Sequence, residues 1–300
     1  MQEISSQIAN RAIKGTKTYE ELKAEILADQ EVQAFIATHR MTEAEILRSV
    51  SKFFEFIKER DNYLTKSVAY ILKGYRPKLI MNKGYADVSY EETEELLEAV
   101  SQKSINQRIN LVNLPKSLRQ VSARDMDFRD PNREAIYLYL ADFVDGYGQS
   151  YRSGLYLYGS FGVGKTFVMA YLARELSEKC QVATTLLHFP SFAVDIKNAI
   201  STGSVKAMVD DIKTAPVLVL DDIGAEQFSA WIRDDVLQVI LQHRMQEELP
   251  TFFTSNFNLE DLERHFANGR AGDETWQAKR LMERIKFLST PMHLKGDNRR

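Results

Sequence analysis

The residues best suited to chemistry lie in one glycine-rich segment near the middle of the chain. Gly159-Ser160-Phe161-Gly162-Val163-Gly164-Lys165-Thr166 matches the pattern G-x-x-x-x-G-K-[ST] at every fixed position. In this pattern backbone N–H groups curl around a phosphate, the lysine reaches the β- and γ-phosphates, and the threonine hydroxyl binds Mg²⁺. The apolar run Leu155–Tyr158 before it predicts a strand, and Phe167–Ser177 after it predicts a helix. The segment is therefore predicted to be a P-loop that binds ATP with Mg²⁺.

Two carboxylates follow a second apolar run, Val217–Leu220. The run alone would indicate only a core strand. Ligands of parallel sheets bind at the carboxyl ends of the strands, and Asp221 and Asp222 would lie there. We expect Asp221 to hold Mg²⁺ through water, and Asp222 to orient or deprotonate the attacking water. Glutamate is more usual at the second position, and because aspartate is one methylene shorter we expect slow turnover.

A third apolar run, Thr251–Ser255, ends at Asn256. In P-loop ATPases of the additional-strand class, this strand lies between those carrying the other two motifs. Asn256 would then lie near the γ-phosphate and could position the attacking water. The alternative is a polar strand end at a turn.

The elements that must position these residues belong to the second of two units. Up to about residue 105 the pattern is mostly helical, with T-x-x-E capping boxes at Thr18 and Thr42. Lys78–Met81 and Tyr85–Tyr90 flank a turn and predict a hairpin, and Glu91–Ser104 predicts another helix.

From residue 106 onward, short apolar runs alternate with helical stretches, which is typical of βαβ units and a mainly parallel sheet. The further predicted strands are Val182–His188 and Thr290–Leu294. The fold class is α/β: a P-loop domain at 106–300, with a parallel sheet covered by helices, preceded by a smaller, mainly helical domain at 1–105. Residues 1–105 contain no catalytic constellation, and an interaction module is the preferred interpretation over a spacer.

Basic residues concentrate near the C-terminus, where residues 264–300 carry nine basic and four acidic side chains. Arg280 and Arg284 are four apart and lie on one face of a predicted helix. They could be a solvated basic surface, or one could be an arginine finger that reaches a neighbouring subunit's γ-phosphate. Spacing alone does not decide between these two interpretations.

Lys197 lies close in sequence to the aromatic residues of Phe189–Phe192 and is a candidate contact for single-stranded DNA. The alternative is that the aromatic pair faces the core.

Composition excludes several classes of protein. Residues 1–105 carry 15 basic and 17 acidic residues, and the remainder carries 24 and 25, so neither part binds nucleic acid by bulk charge. One cysteine, Cys180, excludes an internal disulfide framework and indicates a reducing compartment. No uncharged apolar run approaches the ~18–20 residues of a membrane span. We expect a cytoplasmic protein, and no zinc site, because residues 1–105 offer only His39 and no cysteine.

The motifs GSFGVGKT, VLVLDDIGAE, FFTSN and LMERI, in this order, resemble the DnaC/DnaI helicase-loader family of AAA+ ATPases. The resemblance covers about 106–300, and LKGYRPKLIMNKGYADVSY is also similar to the N-terminal domain of loaders in this family. It implies a primosome component and weak ATPase, stimulated by assembly or partners. Such a protein would hold the hexameric replicative helicase through 1–105 and load it onto single-stranded DNA during replication initiation or restart.

The resemblance also implies individual roles. Arg284, in the M-E-R of LMERI, would be the arginine finger, and Arg300 a second sensing arginine that contacts the nucleotide. Residues 106–300 would bind single-stranded DNA weakly and self-assemble on ATP or on the helicase. Some members of the family carry a cysteine-rich zinc site in the N-terminal domain, and this sequence has none of those cysteines. The alternatives are an IstB-like transposition ATPase, an initiator, a P-loop small-molecule kinase and a binding-only nucleotide switch.

Overall fold

The structure is a computed structural model that describes residues 18–68, 70–227, 229–269 and 272–298. The chain divides into two compact units, Met1–Ser101 and Gln102–Arg300. The predicted sensing residue Arg300 lies outside the described residues.

Three helices open the described part of the first unit: α1 (Tyr19–Ala28), α2 (Gln30–His39) and α3 (Glu43–Leu64). Both predicted capping boxes are confirmed, since the Thr18 and Thr42 side chains accept hydrogen bonds from the third helical N–H and the glutamates there bond back. Apolar residues at helical spacing, among them Val32 and Phe53, form the core of this unit.

The predicted hairpin is also confirmed, as β1 (Tyr75–Asn82) paired antiparallel with β2 (Tyr85–Glu92). Its two turn residues, Lys83 and Gly84, have φ of +48° and +80°, the left-handed pair that matches the twist of a hairpin. The hairpin packs on α3, where Ser49 Oγ accepts a hydrogen bond from the Ala86 N–H at 2.8 Å.

The next helix, α4 (Glu94–Gln107), begins three residues later than predicted. Glu91 was expected in its acidic first turn, but it lies in β2 and accepts hydrogen bonds from Arg76 and Lys78 of β1. Pairing across the hairpin therefore outweighs the preference of acidic side chains for a helix N-terminus.

The second unit alternates strands and helices, as predicted. Its helices are α5 (Pro131–Asp145), α6 (Lys165–Glu175), α7 (Phe189–Ala199), α8 (Val205–Lys213), α9 (Gln238–Gln246), α10 (Leu259–Ala267) and α11 (Thr275–Leu288). Its strands are β3 (Ile109–Val112), β4 (Gly154–Tyr158), β5 (Thr184–His188), β6 (Val217–Asp221), β7 (Thr251–Ser255), the two-residue pair β8 (Asn268–Gly269) and β9 (Gly272–Asp273), and β10 (Ser289–His293). Shorter helical turns are Lys116–Gln120, Ala123–Asp125, Leu176–Cys180, Ile200–Thr202 and Ile232–Leu237.

Six of these strands form one parallel sheet in the order β10-β4-β7-β6-β5-β3. Side chains alternate between its two faces, so that Leu218 and Leu220 enter one core while Val217 and Val219 enter the other. Strand β7 lies between β4 and β6, as the additional-strand class requires. The carboxyl ends of these three strands therefore meet at one edge.

Strand β3 was not predicted. It has only four residues, follows α4 after a single residue, and pairs at the sheet edge with β5 alone. A run this short carries too little pattern to be told from the end of the preceding helix.

Candidate active site

The segment Gly159–Thr166 joins the end of β4 to the start of α6. Gly162 and Gly164 have φ of +79° and +96°, a region that favours glycine. Gly164 is the N-terminal cap of α6, and the neighbouring Val163 is buried. The loop thus presents backbone N–H groups at a helix N-terminus, an arrangement that binds phosphate.

Lys165, Asn256 and Asp222 are joined in one chain of hydrogen bonds. The Lys165 Nζ donates to the carbonyl oxygens of Gly159 and Ser160 at 2.8 and 3.0 Å, and to Asn256 Oδ1 at 2.7 Å. Asn256 Nδ2 in turn donates to Asp222 Oδ1 at 2.8 Å. The structure therefore brings together the three residues predicted to act at the γ-phosphate.

The two predicted metal ligands also meet. Thr166 Oγ1 donates to Asp221 Oδ1 at 2.8 Å, and Thr254 Oγ1 donates to the same oxygen at 2.7 Å. Burial raises the pKa of Asp221; the two hydroxyl groups oppose this effect, and the nearby charge of Asp222 adds to it.

A hydroxyl and a carboxylate are the hard oxygen ligands that suit Mg²⁺, so this pair fits the ion. Within the described residues, no group of three or more His, Cys, Asp or Glu side chains could hold a metal. The remaining ligands of a magnesium ion here would have to be phosphate oxygens and water, the usual arrangement in nucleotide sites.

The backbone of Asp222 is fixed as well as its side chain. Its φ is +61°, uncommon for a residue other than glycine, and its N–H donates to Thr254 Oγ1 at 2.8 Å. The hydroxyl of Thr254 therefore bonds both members of the aspartate pair. These contacts hold the Asp222 carboxylate toward Asn256.

The P-loop borders a cavity of about 640 Å³, large enough for a nucleotide. Its lining includes residues that sequence analysis did not single out: Asn113, Leu114, Pro115, Leu118, Asp125, Met126, Asp127, Arg133 and Tyr137. Phe161 also lines the cavity, with 71% of its surface exposed. The mixed apolar and polar lining beside the phosphate-binding loop is suited to a base and ribose.

Arg133, on α5, is the missed residue with the most direct contact to the P-loop. Only 4% of its surface is exposed. Its NH2 group donates to the Val163 carbonyl at 2.7 Å, and its Nε donates to Asp130 Oδ2 at 3.1 Å. One arginine in an amphipathic helix gives no pattern to detect, so only the fold reveals this contact.

The C-terminal segment after β10 crosses the P-loop. The Leu294 N–H donates to the Tyr158 carbonyl at 2.8 Å. A Cβ on Gly159 would lie 2.3 Å from the Leu294 oxygen, and one on Gly162 would lie 2.1 Å from Asn298 Oδ1. These two glycines therefore make room for the chain end as well as for a phosphate.

Arg284 does not line this cavity. It lies on α11, half-buried, and donates from Nε to Gln242 Oε1 at 2.8 Å and from NH1 to the Arg280 carbonyl at 2.5 Å.

The aromatic residues beside Lys197 do not form a surface on which DNA bases could stack. Phe189 and Phe192 are only 0% and 2% exposed. That part of the DNA-contact hypothesis was wrong, because these rings belong to the core.

Among the described helices, none combines the length and apolar character needed to span a membrane.

Comparisons with known proteins cover the whole chain. The family described as "Primosomal protein DnaI N-terminus" matches residues 1–90, and "IstB-like ATP binding protein" matches residues 83–300. The chain is 37% identical over 292 residues to the replicative helicase loader DnaI of Bacillus subtilis, covering 95% of this chain and 94% of that protein.

Two crystal structures are similar to parts of the chain. One is a candidate primosome component from Streptococcus pyogenes serotype M3, with 52% identity and a TM-score of 0.58, covering 66% of this chain and 99% of that one. The other is a DnaI, with 38% identity and a TM-score of 0.59, covering 65% and 99%.

Proposed function

Since this chain belongs to the DnaI family of replicative helicase loaders, we propose that it delivers the hexameric replicative helicase of its own cell to single-stranded DNA. Residues 1–105 would hold the helicase, and residues 106–300 would supply the ATP-dependent step. The match of the N-terminal family to residues 1–90 supports the first assignment, and the match of the ATP-binding family to residues 83–300 supports the second.

The observation that best supports ATP hydrolysis is the hydrogen-bonded chain from Lys165 through Asn256 to Asp222. With ATP bound, Lys165 would exchange its carbonyl and amide partners for β- and γ-phosphate oxygens. Asn256 and Asp222 would then flank the γ-phosphate, with Asp222 placed to orient a water molecule and accept its proton. The acceptor in this arrangement is water, which argues against a small-molecule kinase.

Thr166 and Asp221 are the residues that would hold magnesium beside the phosphates, Asp221 through water. When bound, the ion would neutralise charge that develops on the transferred phosphoryl group. Thr254 would fix the orientation of Asp221, since its hydroxyl already bonds that carboxylate at 2.7 Å.

Membership of the helicase-loader family also supports a proposal that subunits of this protein assemble with one another. The finger residue Arg284 would act on ATP held by the next subunit, so assembly would precede hydrolysis. We further propose a cytoplasmic location, where replicative helicase and chromosome are found.

The proposal is tested with the full chain, its cognate helicase and circular single-stranded DNA. A hexameric ring can enter a circle without ends only if the loader opens or assembles it. We expect helicase to be retained on the circle when the protein and ATP are both present, and to be absent when either is omitted. Equal retention without the protein would contradict the loader function.

The assignment of helicase binding to the N-terminal part needs a separate measurement. Fragments 1–92 and 93–300, cut between β2 and α4 so that no helix or strand is divided, are each tested for capture of the helicase. Circular dichroism of each fragment is the control for folding. Capture by a folded 93–300 fragment alone would contradict the assignment of the helicase contact to the N-terminal part.

A binding-only nucleotide switch has one observation in its favour. The second acidic residue of the pair is the shorter aspartate, and its carboxylate already bonds Asn256. A loader in which Asp222→Asn retained full loading activity would be such a switch.

A further inference from the structure

Arg284 is held without a carboxylate partner, unlike three other arginines of the described residues. Arg233 pairs with Asp234 and Glu274, Arg133 pairs with Asp130, and Arg60 pairs with Asp29. In each of these three cases a carboxylate neutralises the guanidinium. Arg284 instead bonds two neutral oxygens, the side-chain amide of Gln242 and the backbone carbonyl of Arg280. Arg244 also bonds only neutral oxygens, but it is fully buried in the core, whereas Arg284 is half-buried and can be reached from outside.

Within the described residues, no carboxylate pairs with Arg284. The acidic neighbour Glu283 lies 3.6 Å from Lys286, and in the described part of the chain neither Arg280 nor Arg284 forms an ion pair. The guanidinium of Arg280 lies over the Trp276 ring, 4.8 Å from its centroid. Burial, and then the charge of Arg280, lower the pKa of Arg284. Two unneutralised arginines one turn apart are suited to an external anion.

The contacts with Gln242 and Arg280 define which N–H donors of Arg284 remain for that anion. Arginine has five N–H donors in a planar fork. The Nε–H donates to Gln242 and one NH1 donor to the Arg280 carbonyl, which leaves the NH2 group and the second NH1 donor for an anion. Because arginine only donates, the Gln242 oxygen must be the atom that faces it.

Helix α9, which carries Gln242, is anchored to the core by the side chain of Arg244. Arg244, two residues beyond Gln242, is fully buried and donates to the carbonyl oxygens of Lys213, Ala215 and Pro250 and to the Thr251 hydroxyl. These bonds tie α9 to the ends of the neighbouring strands. The position of Gln242 is therefore set by the packing of α9 in the core. The hydrogen bond to Gln242 in turn orients the Arg284 guanidinium.

We propose that Gln242 is a positioning residue for Arg284: its amide oxygen aims the guanidinium without neutralising it, so that Arg284 meets the γ-phosphate of ATP bound to the neighbouring subunit. The inference rests on the proposed function of Arg284 as the finger. Aspartate or glutamate at position 242 would aim the arginine but cancel its charge, and an apolar residue would do neither.

The experiment separates the two halves of a shared site with full-length chains. A Lys165→Ala chain supplies Arg284 but cannot bind ATP tightly, and an Arg284→Ala chain binds ATP but supplies no finger. Hydrolysis in a mixture therefore comes from sites where the two chains are neighbours. The Gln242→Leu substitution is then placed in one chain or the other.

We expect Gln242→Leu in the Lys165→Ala chain to lower the mixed hydrolysis rate about tenfold, the effect of losing one hydrogen bond to a charged group. In the Arg284→Ala chain the same substitution has no arginine to position, so the rate should not change. Gln246→Leu, an exposed glutamine one turn further along α9, is the matched control and should affect neither mixture. ATP affinity of the chain carrying Gln242→Leu alone should equal that of wild type.

A second variant tests whether the side chain at position 242 must be uncharged. Gln242→Glu keeps an acceptor but adds a charge, so we expect the finger-supplying chain that carries it to lose rate as well. An undiminished rate would show that the neutrality of Gln242 is not what matters, and would overturn the inference.

Other outcomes are equally decisive. Equal loss of rate from Gln242→Leu in either chain would indicate a general structural role, and no loss in the finger-supplying chain would show that Arg284 needs no positioning. If the parent mixture is inactive while wild type hydrolyses ATP, Arg284 is not a shared finger and the inference falls with it. If wild type itself does not hydrolyse ATP, the proposed ATPase function is what fails.

Discussion

At the scale of single residues, substitutions of Lys165 and of Asp222 should have different effects on ATP binding and ATP hydrolysis. Lys165→Ala should abolish tight ATP binding, because it removes the cation whose Nζ lies within 3.0 Å of two P-loop carbonyl oxygens. Asp222→Asn should keep ATP binding and lose hydrolysis, because Thr166 and Asp221 still serve the metal. Calorimetry of ATP binding and a phosphate-release assay measure the two effects separately.

A reversed result would redistribute these roles. If Asp222→Asn bound no ATP, the metal would depend on both aspartates. If Lys165→Ala retained wild-type affinity, another cation would dominate the phosphate contacts, and Arg133, which also lines the cavity, would be the first residue to examine.

Arg133 gives a second prediction at this scale. Its hydrogen bond to the Val163 carbonyl fixes a backbone group in the middle of the P-loop. Arg133→Met keeps much of the side-chain volume but removes this bond, so ATP affinity should fall by about tenfold, the effect of one charge-assisted hydrogen bond. Arg129→Met is the matched control, because Arg129 is exposed and does not line the cavity. Equal ATP affinity in the two variants would show that the P-loop keeps its shape without Arg133.

The sequence predicts those site residues whose chemistry is tied to a fixed spacing. The P-loop, the aspartate pair and Asn256 each follow an apolar run, and parallel strands bring such ends together. Arg133 and Gln242 have no such spacing, since each meets its partner only after the helices have packed. Thr254 meets Asp221 only because β7 pairs with β6. Long-range contacts of single polar residues leave no periodic signal in one sequence.

At the scale of elements, the loop after β6 contains a buried acid that should make stability depend on pH. Glu226 is 7% exposed and accepts a hydrogen bond from the Gly224 N–H at 2.8 Å. Burial raises its pKa to about 7, and the charge of Asp222 adds to the rise. The folded protein therefore binds a proton between about pH 4.5 and 7 that the unfolded chain has lost.

The sign follows from that proton. As pH rises through this window, the free energy of unfolding should fall, and above about pH 7 the penalty is fully present. Glu226→Gln keeps an acceptor for Gly224 and removes the charge, so at pH 8 it should stabilise the protein by about 3 kcal/mol, and near pH 4 by little. Urea unfolding at both pH values measures this, and parallel profiles for the two proteins would show that Glu226 is not the group responsible.

Elements were predictable where hydrophobic pattern and local capping agree. The capping boxes at Thr18 and Thr42 and the turn at Lys83–Gly84 satisfy their own backbone groups locally, so the sequence indicates them directly. Glu91 shows the limit, because its cross-strand partner Arg76 is 15 residues away and no helix-period argument includes it. Strand β3 is a similar case, since its four residues are defined by pairing with β5.

At the scale of the whole molecule, charge limits how DNA can be bound. The chain carries 39 basic and 42 acidic residues, for a net charge of −3. A protein that binds nucleic acid as a monomer by counterion release needs an excess of cations over its surface. Under the proposed function, DNA binding by this chain would depend on a few local contacts in each subunit and on the number of subunits assembled. DNA affinity would then depend on the state of the nucleotide.

We therefore expect weak binding of the full chain to single-stranded DNA, with a shallow salt dependence for the monomer. Two or three phosphate contacts would give a slope of about −1.5 to −2 in log K against log salt. ATP should strengthen binding, because assembly places several such sites along one strand, and Lys165→Ala should bind DNA equally with and without ATP. Fluorescence anisotropy of a labelled oligonucleotide at several salt concentrations measures both quantities. Duplex bound as tightly as single strands would favour an initiator, and a steep slope without ATP would show a basic surface that the charge balance does not reveal.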